Sequence, residues 1–146
     1  MDTAKKKDVF RDGAITPEFV MNSIAKHSVK TDIGAHSIFL GQIRKDEIDG
    51  KKVNAIEYTA HKEMANAQFH IIREDAFTKY NLNCMHIYHS LGAVNTGEIS
   101  LFVFTSSPHR RDAIDACNEI VERIKQEVPV WGKEILEDGG HVWKEN

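Results

Sequence analysis

A run of small hydroxyl and potentially cationic side chains stands where an apolar strand gives way to a helix: Ser106-Ser107-Pro108-His109-Arg110-Arg111. A helix N-terminus offers free backbone N–H groups and a partial positive charge, and the second serine can cap it. Cationic residues in the first turn oppose the helix dipole, so their presence there costs stability and suggests a functional reason. His109, Arg110 and Arg111 are therefore candidates for a site that holds a phosphate or carboxylate. The alternative is a solvated helix start whose arginines pair with carboxylates such as Asp112.

Lys125 is the candidate reactive amine, and the segment that follows it reads KQEVPVWGK and ends at Lys133. In the last helical turn a cation is favoured by the helix dipole, which alone accounts for Lys125. The functional interpretation is an amine beside a buried aromatic, with a lowered pKa that lets it act as a base or nucleophile. The local sequence leaves both interpretations open.

Arg44 ends a predicted strand that contains Phe39 and Gly41. Most arginines in such positions are surface residues. One that follows an aromatic residue and a glycine can instead face a pocket, and nothing in the local sequence decides between the two.

The histidines give no metal-binding pattern. His86 and His89 are three residues apart on a predicted strand, so their side chains point to opposite faces. His61 and His70 are nine apart on a predicted helix and also diverge. The chain has no HExxH motif, P-loop or dinucleotide-binding glycine pattern. We therefore expect neither a metal nor a cofactor.

Apolar periodicity and turn residues predict the elements that must position these side chains. Three helices and five strands alternate in a mixed order with hairpins, which favours an α+β fold with a largely antiparallel sheet in one domain, residues 1–146. Residues 1–12 carry little pattern and are expected to be flexible. The predicted helices are 17–27, 62–80 and 108–127, and the predicted strands are 33–44, 53–59, 84–91, 98–106 and 130–136.

Composition excludes several classes of protein. Hydrophobic residues make up 41% of the 146 residues and charged residues 28%, which suits a packed core rather than disorder. The net charge of −3 gives no electrostatic reason to bind nucleic acid. The apolar runs are too short to span a membrane, and no secretory signal is visible. Cys84 and Cys117 lie far apart without a CxxC motif, which fits a reducing cytoplasm.

Taken together, several segments resemble the MoaE family, the large subunit of molybdopterin synthase. Each segment is weak alone, but their order and spacing from Gly34 to about Trp143 are specific. They are Gly34-Ala35 through Phe39-x-Gly41-x-Ile43-Arg44; Ile56-Glu57-Tyr58-x-Ala60 with Met64-Ala65; His89-x-x-Gly with Gly97-Glu98; Ser107-x-His109-Arg110 with Ala113; and Ile124-Lys125 with Val128-Pro129-x-Trp131-x-Lys133-Glu134.

The resemblance implies an α/β-hammerhead type of fold and a homodimer. It implies that each copy binds a small ubiquitin-like partner of the MoaD type, whose C-terminal Gly-Gly thiocarboxylate supplies sulfur. The substrate would be cyclic pyranopterin monophosphate, and two transfers would form the dithiolene of molybdopterin. By the same resemblance, Phe39 and Arg44 match pocket residues, His109 and Arg110 match contacts to the substrate anion, and Lys125 matches a lysine beside the thiocarboxylate.

The chain departs from the family at two positions, and one of them is Ser90, which stands where an arginine often follows the strand histidine. The other is position 132. Family members usually read Trp-Lys-Lys-Glu where this chain has Trp131-Gly132-Lys133-Glu134, so Gly132 replaces a lysine regarded as catalytic. On a strand, Lys133 points to the face opposite that of residue 132, and it substitutes only if the glycine permits a bulge. Lys133 is retained as the second catalytic candidate, with Lys144 and Lys62 as other possible replacements.

Helix length adds an expectation about assembly. His109 and Lys125 are 16 residues apart on one predicted helix, hence about 24 Å apart along its axis. A small pterin cannot contact both in one copy, so a shared site requires both copies of a dimer. Two alternatives remain: a relative that binds the partner or pterin without efficient catalysis, and a generic anion- or nucleotide-binding domain built on His109 and Arg110.

Overall fold

The computed structural model describes residues 7–144, which form three helices and eight strands. In chain order they are β1 (Phe10–Asp12), α1 (Pro17–His27), β2 (Ala35–Gln42), β3 (Glu47–Ile48), β4 (Lys51–Ala60), α2 (Lys62–Lys79), β5 (Cys84–Asn95), β6 (Ile99–Ser107), α3 (Arg110–Glu127), β7 (Val130–Leu136) and β8 (His141–Lys144). None of the helices in this part of the chain is long and apolar enough to cross a membrane.

The strands form one mixed, mostly antiparallel sheet in the order β2-β6-β5-β4-β7-β8. Strand β5 is long enough to serve two partners: Cys84 to His89 pairs with β6, and Gly92 to Asn95 pairs with β4. β1 adds to β5 in parallel, and β3 forms a short hairpin with β4. The predicted α+β fold with a largely antiparallel sheet is confirmed.

Alternating side chains of β6 serve both faces of the sheet. Leu101 and Val103 join the main core beneath α2 and α3, whereas Phe102 and Phe104 join a second cluster beneath α1. This is the period-two alternation of a strand with apolar layers on both sides. The sheet is therefore covered by α2 and α3 on one face and by α1 on the other.

The third helix follows its predicted pattern. Its apolar residues recur at helical spacing and form one face that is buried against the sheet: Ala113, Ala116, Cys117, Ile120, Val121 and Ile124. This burial determines which way the helix faces, and hence where both of its ends project. The predicted start of α1 is also confirmed, because the Thr16 side chain accepts a hydrogen bond from the Phe19 amide at 3.1 Å, with Pro17 in the first turn.

Both ends of the described chain form strands that were not predicted. The expectation that residues 1–12 are flexible is wrong for Phe10–Asp12, where Phe10 is buried and packs edge-on against Phe69 at 5.8 Å between ring centroids. Residues 1–6 lie outside the described residues. His141–Lys144, taken as a tail after the last strand, forms β8 instead, because the turn at Gly139 and Gly140 returns the chain alongside β7.

Candidate functional site

The first group of predicted site residues lies together at the start of α3. His109, Arg110 and Arg111 are exposed and line one depression with Gly34 and Pro108, which we call the α3 N-terminal site. His109 is the N-cap residue, and its own side chain makes no capping hydrogen bond. The predicted capping role of the preceding serine is wrong, since its hydroxyl donates to the His109 carbonyl.

The backbone packs closely behind this site. The Gly34 amide donates to the Ser107 carbonyl at 3.0 Å, and a Cβ atom at position 34 would overlap the Pro108 carbonyl oxygen. Only glycine fits here, and the reason is close approach of two backbone segments. Glycine at this position therefore brings the start of β2 against the helix start that carries the cationic residues.

Arg44 and Phe39 have different environments: the arginine is exposed and the phenylalanine is half-buried. The Arg44 side chain is 81% exposed and forms a bidentate pair with Asp46, at 2.6 and 3.2 Å. This hydrogen-bonded carboxylate raises the pKa of Arg44. Phe39 is half-buried and packs against the main core. In one copy of the chain, neither residue is among those that line the depression around Lys125.

Lys125 lies in a second depression, at the other end of α3. We call it the Lys125 pocket, and its lining residues are Tyr58, His89, Ile124, Lys125, Val128, Val130, Gly132 and Lys144. The last turn of α3, the following β7 and the end strand β8 meet here. Although the Lys125 residue retains exposed surface, crowding by these apolar walls desolvates its amine and lowers its pKa, and the charge of Lys144 lowers it further.

His89 and Tyr58 form the deep wall of the Lys125 pocket. Their rings are 5.1 Å apart at 87°, and His89 is 4% exposed. Burial lowers the pKa of His89 to about 4, with a smaller contribution from the charge of Lys125, while the bond from His89 Nδ1 to the Ser90 carbonyl at 2.8 Å opposes the shift. His89 is thus neutral near pH 7. Burial raises the pKa of Tyr58, whose hydroxyl is 3.3 Å from Ser100 Oγ.

The structure does not bring Lys133 to this pocket. Its amine is 3.4 Å from the Glu57 carboxylate and 5.9 Å from the centroid of the Trp143 ring. Gly132 is buried on the opposite face of β7, against Tyr58. The strand continues past Gly132 without a bulge, so residues 132 and 133 keep their opposite orientations.

Sequence reasoning missed two features of the site. Tyr58 and His89 were named only within the segments that carry the family resemblance, and not as site residues. The reason is that β4 and β5 become neighbours of α3 only in the folded chain. Lys144 was named without a position, because β8 was not predicted. The pairing of β8 with β7 is what places Lys144 in the pocket.

A third cluster has the donor atoms of a metal site. His27, Cys84 and His86 place their ligand atoms within 4.8 Å of one another, at the face of the sheet beneath α1. The expectation that no cysteine lies at ligand spacing from a histidine is wrong for Cys84, which is two residues away from His86 and on the same face of β5. His27 arrives from α1 and has no sequence signal that links it to them.

In sequence and in fold, the chain is similar to proteins of one family. The family model described as MoaE protein matches residues 14–127. The chain is 40% identical over 114 residues to the molybdopterin synthase catalytic subunit of Thermoplasma volcanium, an alignment that covers 78% of this chain and 82% of that protein. It is 39% identical over 113 residues to the protein of the same description from Oryza sativa subsp. indica, covering 77% of this chain and 58% of that one. The X-ray crystal structure of molybdopterin synthase from Staphylococcus aureus superposes with a TM-score of 0.82 at 30% identity, covering 98% of this chain and 100% of that chain.

Proposed function

This chain belongs to the MoaE protein family, and from that membership we propose that it is the catalytic subunit of a molybdopterin synthase. It would transfer sulfur from the thiocarboxylated C-terminus of a small ubiquitin-like partner to cyclic pyranopterin monophosphate, and two such transfers would form the dithiolene. The observation that carries the proposal is the Lys125 pocket, where an amine of lowered pKa stands beside a neutral histidine and a tyrosine.

The Lys125 pocket suits the anionic end of a peptide. Among the described residues, its lining contains two lysines and no carboxylate, while Glu122 and Glu127 line the adjoining depression that shares both lysines. An entering carboxylate or thiocarboxylate can therefore accept hydrogen bonds from both amines. Lysine donates charge-assisted hydrogen bonds to such a group and stabilises charge that develops as sulfur attacks. The lowered pKa also raises the fraction of neutral amine at a given pH, which a transient covalent link to the partner would require.

The α3 N-terminal site suits the substrate's phosphate. His109, Arg110 and Arg111 surround a helix N-terminus at which the N-cap side chain, that of His109, makes no capping hydrogen bond. Arginine and free N–H groups provide directed donors for phosphate oxygens. We propose that these residues bind the phosphate and that Phe39 and Arg44 complete the pterin pocket.

A homodimer is part of the proposal, because the two cationic sites lie at opposite ends of α3. The helix separates them by about 24 Å, so one pterin contacts both only if they come from different copies. An exposed apolar depression on α1 and the edge of the sheet, lined by Met21, Ile24 and Leu40, offers surface for association. Cys84 and Cys117 are free thiols, in keeping with the proposed cytoplasmic location.

The proposal is tested by mixing the protein with the thiocarboxylated partner and cyclic pyranopterin monophosphate and following dithiolene product. We expect product from wild type and from Lys26→Ala, a control on the exposed end of α1, and at least a 100-fold slower transfer from Lys125→Ala. Wild type that binds the partner but yields no product would identify a non-catalytic relative. Nucleotide binding without any partner would favour the generic anion-binding domain.

A further inference from the structure

Lys144 and Gly132 form a directly opposed pair in the β7–β8 ladder. Directly opposed residues of an antiparallel pair project their side chains from the same face of the sheet. Because Gly132 has no side chain, Lys144 contributes the one side chain of this β7–β8 pair on that face. Both residues line the Lys125 pocket, so the amine of Lys144 comes from the strand next to the position that lacks one.

The packing beneath Gly132 explains why a side chain is absent there. A Cβ atom at position 132 would lie 3.0 Å from Ile56 Cγ2 and 3.5 Å from Tyr58 Cε1. The first distance is tighter than an ordinary van der Waals contact, so a side chain at 132 would require the buried Ile56 to shift by a few tenths of an ångström, whereas the distance to Tyr58 is an ordinary contact. Gly132 thus lets Ile56 and Tyr58 pack closely against β7.

We propose that Lys144 is the second cationic residue of the Lys125 pocket and contacts the anionic C-terminus of the partner together with Lys125. This assignment rests on the proposed function of the pocket. Two ammonium groups that converge on one pocket repel each other when it is empty, and a bound carboxylate or thiocarboxylate removes that repulsion by accepting hydrogen bonds from both. Lys133, held by Glu57 on the other face, takes no part.

The assignment is tested with Lys144→Ala and Lys144→Arg in single-turnover sulfur transfer. Lys144 is exposed on an edge strand, so both variants are expected to fold, which their melting temperatures will verify. We expect transfer to slow at least 10-fold in Lys144→Ala and to recover in part in Lys144→Arg, with Lys26→Ala as the matched control. An unchanged rate in Lys144→Ala, or a loss confined to Lys133→Ala, would overturn the assignment.

Two further measurements keep this test separate from the proposed function. The first is the affinity for the partner with an ordinary C-terminal carboxylate, which should fall in Lys144→Ala. The second is the pH at which acylation of Lys125, monitored by mass spectrometry, reaches half of its maximum. This midpoint should rise in Lys144→Ala, because removal of the Lys144 charge raises the pKa of Lys125. If the wild type transfers no sulfur, the proposed function is refuted, but the role of Lys144 is still decided by these two measurements. An unshifted midpoint with unchanged affinity would refute the role of Lys144, whatever the activity.

A different observation carries a second inference, at the cluster of His27, Cys84 and His86. The two Nε2 atoms of His27 and His86 face each other at 3.0 Å, close to the separation of about 3.3 Å between nitrogen ligands of a tetrahedral zinc ion. His27 Nδ1 is 2.7 Å from the Ser23 carbonyl, which holds the ring with its Nε2 lone pair towards His86. Phe104 stacks on the His27 ring at 4.8 Å between centroids.

Cys84 supplies the third donor. Its Sγ accepts a hydrogen bond from the Lys30 amine at 3.0 Å. Lys30 is exposed on a flexible side chain and can withdraw into solvent when a cation arrives. Two imidazoles and a thiolate are the donors that zinc and cobalt prefer. We infer that His27, Cys84 and His86 bind one such ion.

The metal site is tested by titrating metal-free protein with Zn²⁺ against a chromophoric chelator, and with Co²⁺ by absorption spectroscopy. We expect one ion per chain, a sulfur-to-cobalt charge-transfer band, and at least a 10-fold loss of affinity in Cys84→Ser and His86→Ala. Cys117→Ser is the matched control, since that cysteine is buried on α3 away from the cluster. Equal affinities in all variants, or a cobalt spectrum without the sulfur band, would overturn the site.

Discussion

The Cβ atom that an alanine would carry at position 34 overlaps the carbonyl oxygen of Pro108. Gly34 is therefore the residue that lets β2 begin against the start of α3. We expect Gly34→Ala to force these backbones apart and to lower the free energy of unfolding by about 1–3 kcal/mol, the usual cost of overpacking. Urea denaturation measures it, with Asn22→Ala on the exposed face of α1 as a control that should change little. Equal stability of the two variants would contradict the close approach.

His89 should make stability depend on pH. Its pKa is lowered to about 4 in the folded protein, against about 6.5 in an unfolded chain, so between these values the unfolded state binds more protons. Stability therefore falls as pH drops from about 6.5 to about 4, by about 2 kcal/mol at pH 5 from this residue. His89→Gln should flatten the slope, leaving the share of His86, whose pKa burial also lowers to about 4.

The measurement for His89 is the free energy of unfolding in urea at pH 7 and pH 5, in metal-free buffer. His141→Gln, on the exposed strand β8, is the control and should keep the wild-type slope. A slope that is the same in wild type and His89→Gln would show that His89 is not held neutral by burial.

The two ends of α3 should have separable kinetic roles. We expect Arg110→Ala to raise KM for the pterin at least 10-fold, because a phosphate contact is lost, while affinity for the partner stays unchanged. Lys125→Ala should instead lower kcat and weaken the affinity for the partner, while pterin binding stays nearly intact. Steady-state kinetics with titrated partner distinguish them. A loss of partner affinity in Arg110→Ala would show that this site serves the partner and not the substrate.

A site shared between copies predicts complementation. Homodimers of His109→Ala and of Lys125→Ala should each be nearly inactive. In a mixed dimer one site combines the intact His109 of one copy with the intact Lys125 of the other, so random exchange should restore about a quarter of wild-type activity. Activity of the mixture, measured after unfolding and refolding together, is compared with that of each variant alone. No recovery despite verified mixed dimers would place both residues of a site in one copy.

Several elements could be predicted from local sequence patterns, because the interactions that form them lie within a few residues of one another. The apolar face of α3 and the start of α1 at Thr16 and Pro17 follow helical periodicity and capping, which act within one or two turns. Strand β7 matched its predicted bounds, and the Asp49-Gly50 turn between β3 and β4, a dipeptide typical of hairpins, has both residues at positive φ. The site motif at His109–Arg111 was likewise found from its position at a strand-to-helix junction.

Elements whose pairing depends on distant strands were missed or misjudged. β1 and β8 are short and carry little periodicity of their own, and each exists because a partner strand offers an unpaired edge. Strand β5 runs on through Gly92 to Asn95, where a turn was expected, because β4 accepts its second half. A residue's place in such a ladder is determined by register, which the local sequence does not encode.

The sequence by itself determined that this is an α+β domain of the MoaE family, with Lys125 and His109 at the two ends of one helix. The tertiary structure alone decided which lysine faces Lys125. Residues 132 and 133 alternate across the sheet, so Lys133 is turned to Glu57, while the pairing of β8 with β7 brings Lys144 over Gly132. Alternation along a strand is a local property, whereas which strand lies beside it depends on the packing of the whole chain.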